Sequence, residues 1–360
     1  MRSEKKWGIG LLVTIAAALI ALGGLTAAVD PYFHYHGPLE GLSYPDGNER
    51  YQNDGIIRNF SYDAMITGNS MTENFRTSEF NDLFGVNAVK VPLNGSKFKE
   101  VDMQVRRAIS HNADLRLVVR DVSGGMLYED KDAMRTDITL PEYLYDGNPF
   151  NDVKYLLNKE ILLEATLETL HRTALGQPTI DFDTYQFWDD TMAHGPQTVR
   201  RRNLNAIDLP GREGEVDAVL ERVRQNMEQN FVRTARENPD IQFYCFIPPY
   251  SICWWAQLHA EDSVALYIRY CKAASDTLLQ CENIRLFSFF DDYDVVTNLE
   301  NYSDWAHYSA DINSRLLADM RAGEHRLTKE NCADYWCGVE EYYTSFDYEG
   351  YFAQVFSDTP

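Results

Sequence analysis

The sequence predicts an α/β chain built on a parallel sheet and led by one apolar helix. Three observations carry that expectation. Short apolar runs closed by Gly, Asn or Pro alternate with longer helical stretches, the pattern of right-handed βαβ units. Residues 7–29 run for 23 positions without a charge. Of the 360 residues, 44% are hydrophobic and 13% aromatic, far more core material than a disordered or collagen-like chain holds.

The apolar run comes first. As a helix at ~1.5 Å per residue, Trp7–Val29 spans roughly 35 Å, enough to cross a bilayer. Arg2, Lys5 and Lys6 precede it and Asp30 follows. That asymmetry predicts a single-pass signal-anchor with its N-terminus in the cytoplasm and the main domain outside, in contact with lipid through residues 7–29. The small residues Thr26-Ala27-Ala28 keep a cleaved signal peptide as the alternative, although the apolar run exceeds the usual ~7–15-residue core of such peptides. Either way the bulk of the chain is exported.

The charge is lopsided. There are 33 Lys and Arg against 55 Asp and Glu, a net −22; setting aside Arg2, Lys5, Lys6 and Glu4 leaves −24 beyond the apolar run. Nucleic-acid binding rests on clustered basic surface, so no nucleic-acid partner is expected.

Residues 30–57, rich in Pro, Gly, Tyr and Asn, read as a juxtamembrane connector, with His34 and His36 in an aromatic and imidazole belt. The α/β domain is expected over 58–330. Its strands read as Asp63–Thr67, Ala88–Pro92, Leu115–Arg120, Ile241–Ile247 and Ile284–Phe290. Helical stretches follow through Phe84 and over Glu100–His111, Asp262–Gln280 and Tyr308–Met320. Residues 127–214 break the rhythm and read as an insertion, helical in part at Asn151–Leu175 and carrying the run Arg200-Arg201-Arg202. Residues 331–360 form an acidic, aromatic tail without Lys or Arg, expected to pack on the domain.

All six cysteines lie in the last third. In an oxidising compartment Cys332–Cys337 and Cys271–Cys281 are disulfide candidates, while Cys245 and Cys253 read equally well as buried thiols. No residue pattern implies a cofactor or a metal. Asp291-Asp292-Tyr293-Asp294 lacks the spaced ligands of a calcium loop and reads as a solvated acidic turn. Arg120 reads as a structural ion pair at a strand end.

Two short stretches carry chemistry. In Ile66-Thr67-Gly68-Asn69-Ser70 a buried strand ends on glycine, and a serine opens the next helix, whose free N–H groups favour developing negative charge. In Ser303-Asp304-Trp305-Ala306-His307 a carboxylate three residues before a histidine reaches one ring nitrogen and leaves the other for a nucleophile. Open α/β sheets gather such groups at the carboxyl ends of their strands.

On these residues the chain resembles the SGNH/GDSL hydrolase family, among its membrane-anchored, exported DltD-like and cell-envelope members. Gly68-Asn69-Ser70 matches the nucleophile block with Asn in place of Asp, and Asp304-Trp305-Ala306-His307 matches the last block. Gly95, in Pro92-Leu93-Asn94-Gly95-Ser96, matches the glycine of the second. The third block's Asn is missing from Asp121-Val122-Ser123-Gly124-Gly125, so Asn94 or a backbone N–H near Gly124 is the expected substitute. The resemblance implies a three-layer, flavodoxin-like sheet and a catalytic set of Ser70, His307 and Asp304, with an oxyanion hole from Ser70, Gly95 and Asn94. It further implies a serine esterase or O-acyltransferase acting on a cell-envelope polysaccharide or related acyl ester, with a membrane-bound O-acyltransferase as a partner. The alternatives are a DltD-like factor in D-alanyl transfer to teichoic acid and a catalytically silent envelope scaffold.

Overall fold

The computed structural model describes residues 2–138, 140–202, 207, 209–211 and 214–357. Parts of the expected insertion (139, 203–206, 208, 212 and 213) and the last three residues of the tail lie outside the described residues. The chain divides into two compact units, one of residues 1–61 and 137–185, the other of 62–136 and 186–360. This cut differs from the boundaries read off the sequence: the supposed connector and the middle of the insertion share one unit.

The larger unit holds the sheet. Its strands are β1 (Ala64–Gly68), β2 (Ala88–Pro92), β3 (Leu117–Asp121), β4 (Gln242–Ile247), β5 (Ile284–Ser288) and β6 (Arg326–Leu327), in the order β2-β1-β3-β4-β5-β6. β1 to β5 are parallel and β6 is antiparallel to β5. Every residue of β1, β2 and β3 is buried, as expected of a parallel sheet covered on both faces. Register fixes the site: Gly68 pairs with Pro92, Thr67 with Arg120, and Asp121 with Phe246. Because the chain runs from β1 to β2 on one side and returns to β3 on the other, a crevice opens at the carboxyl end of β1.

Two elements differ from expectation. β6 is only two residues long and half exposed, too short for an apolar pattern. After β1 the chain makes one 3₁₀ turn, Ser70–Thr72, and the helix proper begins at Thr77. A single turn has few aligned peptide dipoles, so the helix-end stabilisation expected at Ser70 is largely missing.

The acidic tail folds into helices Cys332–Ser345 and Tyr348–Ser357. Tyr343 stacks on Trp255 at 3.7 Å and donates its hydroxyl to the Phe290 carbonyl at 2.6 Å. All six cysteines are free thiols. The pairing of Cys332 with Cys337 fails because both lie on one helix five residues apart, on diverging faces and beyond disulfide reach. Cys271 lies inside the helix Val264–Leu278 and donates no sulfur to Cys281, whose Sγ meets Asn283 Oδ1 at 3.0 Å.

The smaller unit contains the helix Arg2–Val29, of which residues 4–29 are long and apolar enough to cross a membrane. Past its end Asp30, fully buried, takes a left-handed φ of 47°. Its carboxylate accepts the N–H groups of His34, Tyr35 and His36 and the Tyr155 hydroxyl, so the chain closes tightly on the helix end. The stretch read as a connector holds a helix, Glu49–Asn59, capped by the Asn48 side chain. Leu144, Tyr155 and Ile161 form one buried apolar cluster of this unit. The helical part of the insertion is broken into Val153–Leu156, a π turn at Ile161–Thr166, and Leu167–Ala174.

Candidate active site

The site forms where loops leave β1, β2, β3 and β5. Ser70 Oγ lies 2.8 Å from His307 Nε2, and His307 Nδ1 lies 2.8 Å from Asp304 Oδ2. The three side chains, 237 residues apart at the ends, form one hydrogen-bonded chain. Each is fixed by local structure. Asp304 Oδ1 accepts the N–H groups of Ala306 and His307, both at 2.8 Å, which leaves Oδ2 for the ring. The Ser303 N–H closes the loop on the His307 carbonyl, and Ser251 pins the Trp305 carbonyl from the loop after β4.

Ser70 is held by its neighbours. Gly68 carries φ 153°, and a Cβ there would fall 2.1 Å from Asp121 Oδ1. Asn69 is fully committed: Oδ1 caps the Met71 N–H, Nδ2 donates to Ser123 Oγ at 2.8 Å, and its backbone N–H meets Asp121 Oδ1. Ser123 in turn donates to Asp121 Oδ2. This explains the Asn in the nucleophile block. With the Ser123 proton already given to Asp121, the Ser123 oxygen needs a donor, which an Asp at position 69 would not supply.

Downstream, Lys90 of β2 is fully buried and donates its ammonium to the Glu73 and Phe75 carbonyls at 2.6 and 2.9 Å. The buried Glu73 carboxylate accepts from Asn94 Nδ2 at 3.1 Å. Gly95 turns with φ 61° beneath Arg135, whose Nη1 donates to the Asn94 carbonyl at 2.8 Å.

The candidate oxyanion donors differ in what already occupies them. The backbone N–H groups of Ser70 and Gly95 donate to no group of the described residues and are left to a ligand or water. Asn94 contributes an amide already tied on one side to Glu73. The Gly124 N–H itself is not free for the substitute role expected near that residue, because it donates to Tyr250 Oη at 2.9 Å. Gly124 is packed so closely that an added Cβ would sit 1.7 Å from Tyr267 Oη. Gly124→Ala should therefore cost about 3 kcal/mol, lowering Tm by roughly 6–12 °C in a thermal melt. An unchanged melting curve would refute that packing.

Electrostatics follow from these contacts. Burial works against a charged His307, but the hydrogen bond and charge of Asp304, reinforced by Glu73, outweigh it and raise its pKa above the ordinary 6.5; Arg202 opposes them. Burial pushes Asp304 up, yet the ring and the two backbone N–H groups hold it below the usual carboxylate range. A base must be neutral to accept a proton, so any activity that uses His307 as base should rise with pH through the elevated His307 value. Glu73→Gln removes one charge that supports the protonated ring. It should shift the acid limb of the kcat/KM profile to lower pH, and a limb that stays in place would show that Glu73 does not act on His307.

Sequence reasoning did not single out Glu73, Lys90, Trp188 or the Asp121–Ser123 pair as site residues. Only Lys90 left a signal, as a charge inside a buried strand. Trp188 sets its ring edge-on to His307, 5.5 Å between centroids, and the Trp188 and Asp189 N–H groups both meet Asn74 Oδ1. Of the arginine run, Arg202 acts on His307 electrostatically, whereas Arg200 packs over the Phe356 ring at 5.2 Å. Arg120 is structural: it is buried, lies 3.6 Å over the Phe231 ring, donates to the Asn230 carbonyl and faces Asp102 at 4.0 Å.

Asp292, Asp319 and His325 bring possible metal ligands within 4.8 Å of one another. Asp292 is buried, so the expected solvated turn is wrong there. Arg315 reaches Asp292 at 2.8 Å and Asp319 at 3.6 Å, while His325 Nδ1 meets Asp291 at 2.8 Å. An arginine thus supplies the positive charge a cation would bring.

An α/β chain with a parallel sheet and a Ser–His–Asp chain at its strand ends is what fold and site together define. The chain matches no known family, no curated protein and no solved structure.

Proposed function

We propose that the protein is an SGNH-type serine esterase or O-acyltransferase, anchored by residues 7–29 with its N-terminus in the cytoplasm, that acts on an acyl ester of a cell-envelope glycan or related polymer. The observation that carries the reading is the Ser70–His307–Asp304 hydrogen-bonded chain, with Ser70 and Gly95 N–H groups that donate to no group of the described residues. Ser70 Oγ attacks the ester carbonyl as its proton passes to His307 Nε2. The Ser70 and Gly95 N–H groups receive the negative oxygen. The carbon–oxygen bond to the leaving alcohol then breaks, and His307 returns the proton to that oxygen. Water, or a sugar hydroxyl, next attacks the acyl carbon while giving its proton to His307; the carbon–oxygen bond to Ser70 then breaks and His307 returns the proton to Ser70 Oγ. Asp304 keeps the Nδ1 proton in place throughout.

The test is labelling of the full-length, detergent-solubilised chain with a fluorophosphonate, together with hydrolysis of p-nitrophenyl acetate. Ser70-specific labelling and turnover support the reading. No label and no turnover in either assay would favour the silent scaffold.

A further inference from the structure

We infer that the exposed apolar residues of the stretch 150–175 lie in the outer-leaflet boundary of the bilayer beside the helix Arg2–Val29. This rests on the reading that residues 7–29 span the membrane. Phe150, Val153, Leu157, Leu163, Leu167 and Leu175 are all exposed, Phe150 at 90% and Leu175 at 59%. Six large apolar side chains exposed within one stretch of 26 residues are unfavourable in water and mark an interaction surface.

Its occupant follows from the anchor. Gly23, Thr26 and Val29 of the helix Arg2–Val29 are buried at a spacing of three, a face turned to protein rather than lipid. A Cβ on Gly23 would touch Leu157 Cδ2 at 3.5 Å and Leu156 Cβ at 3.6 Å. With Lys5 and Lys6 held at the inner headgroups, a hydrocarbon core of ~30 Å takes about 20 residues, from Trp7 to near Thr26. Gly23 then sits just inside the outer edge of that core, and Leu157 packs against it at the same depth. The apolar residues around Leu157 belong to the same broken helical stretch and meet the same boundary.

Lys154, Lys159, Glu160 and Glu164 are exposed on that stretch too. Such charges exclude burial in the hydrocarbon centre and fit an interfacial position, where long side chains reach water or headgroups. The partner is therefore a lipid surface entered from the side, in addition to the helix that crosses it.

The experiment places single spin labels on the full chain, in nanodiscs of phosphatidylcholine and phosphatidylglycerol. Cys337→Ser removes the one exposed native thiol. Labels go on Phe150→Cys, Leu163→Cys, Ile15→Cys and Glu324→Cys, and relative collision with oxygen and a nickel chelate reports depth. Ile15 deep in lipid, Phe150 and Leu163 at interfacial depth and Glu324 in water is the expected result. Phe150 and Leu163 matching Glu324 while Ile15 stays deep overturns the inference and leaves the anchor standing. Ile15 in water overturns the spanning reading and the inference with it.

Discussion

Ser70→Ala should abolish fluorophosphonate labelling and lower turnover by on the order of 10⁴–10⁶-fold, because the three side chains act as one unit and the nucleophile has no substitute. Ser70 is only partly buried and, among the described residues, its hydroxyl meets His307 alone, so the change removes one atom without opening a cavity. Tm should stay within a few degrees of the parent. Retained turnover with lost labelling would assign hydrolysis to another group and remove the basis for the proposed function.

Asp304→Asn should cost about 10⁴-fold in kcat, for a reason visible in the loop. Asp304 Oδ1 already accepts two backbone N–H groups, from Ala306 and His307. An asparagine keeps its carbonyl oxygen on those donors and so turns its NH₂ toward the ring. Nδ1 must then accept, which places the ring proton on Nε2, facing Ser70. The imidazole is neutral yet cannot act as base. Steady-state kinetics together with ¹⁵N shifts of the ring nitrogens test this; full activity, or a proton still on Nδ1, would refute it.

The sheet was largely legible in the sequence. β1 to β5 are short apolar runs bounded by turn residues, and their observed ends lie within about two residues of those expected. β6 escaped because two residues cannot show a period. The helix Glu49–Asn59 escaped for a different reason: Asn53, Asp54 and Gly55 are poor helix formers, and tertiary burial of polar residues holds the segment instead. The separate origin of the two units was also hidden, since residues 1–61 and 137–185 come together only in space.

For the site, residue types at strand ends pointed to Ser70, His307 and Asp304, whereas their supports did not show. Asn69 looked like a departure from a motif until its proton partners were known. Glu73 and Trp188 reach the site from loops whose paths depend on Lys90 and Asn74, and no local pattern records such contacts. The disulfide expectation failed because closeness in sequence says nothing of which way two thiols point on a helix.

Asp30 has one more consequence. Many surface enzymes on a single helix are tethered by a slack stalk, and proteases release them by cutting it. Here the first residues beyond the apolar helix are cinched to the buried Asp30 carboxylate, and the N–H groups of His34, Tyr35 and His36 are occupied. A protease needs several residues of extended, accessible backbone, which this stem does not offer. If residues 7–29 cross a bilayer, the backbone just beyond Val29 should resist proteolytic release.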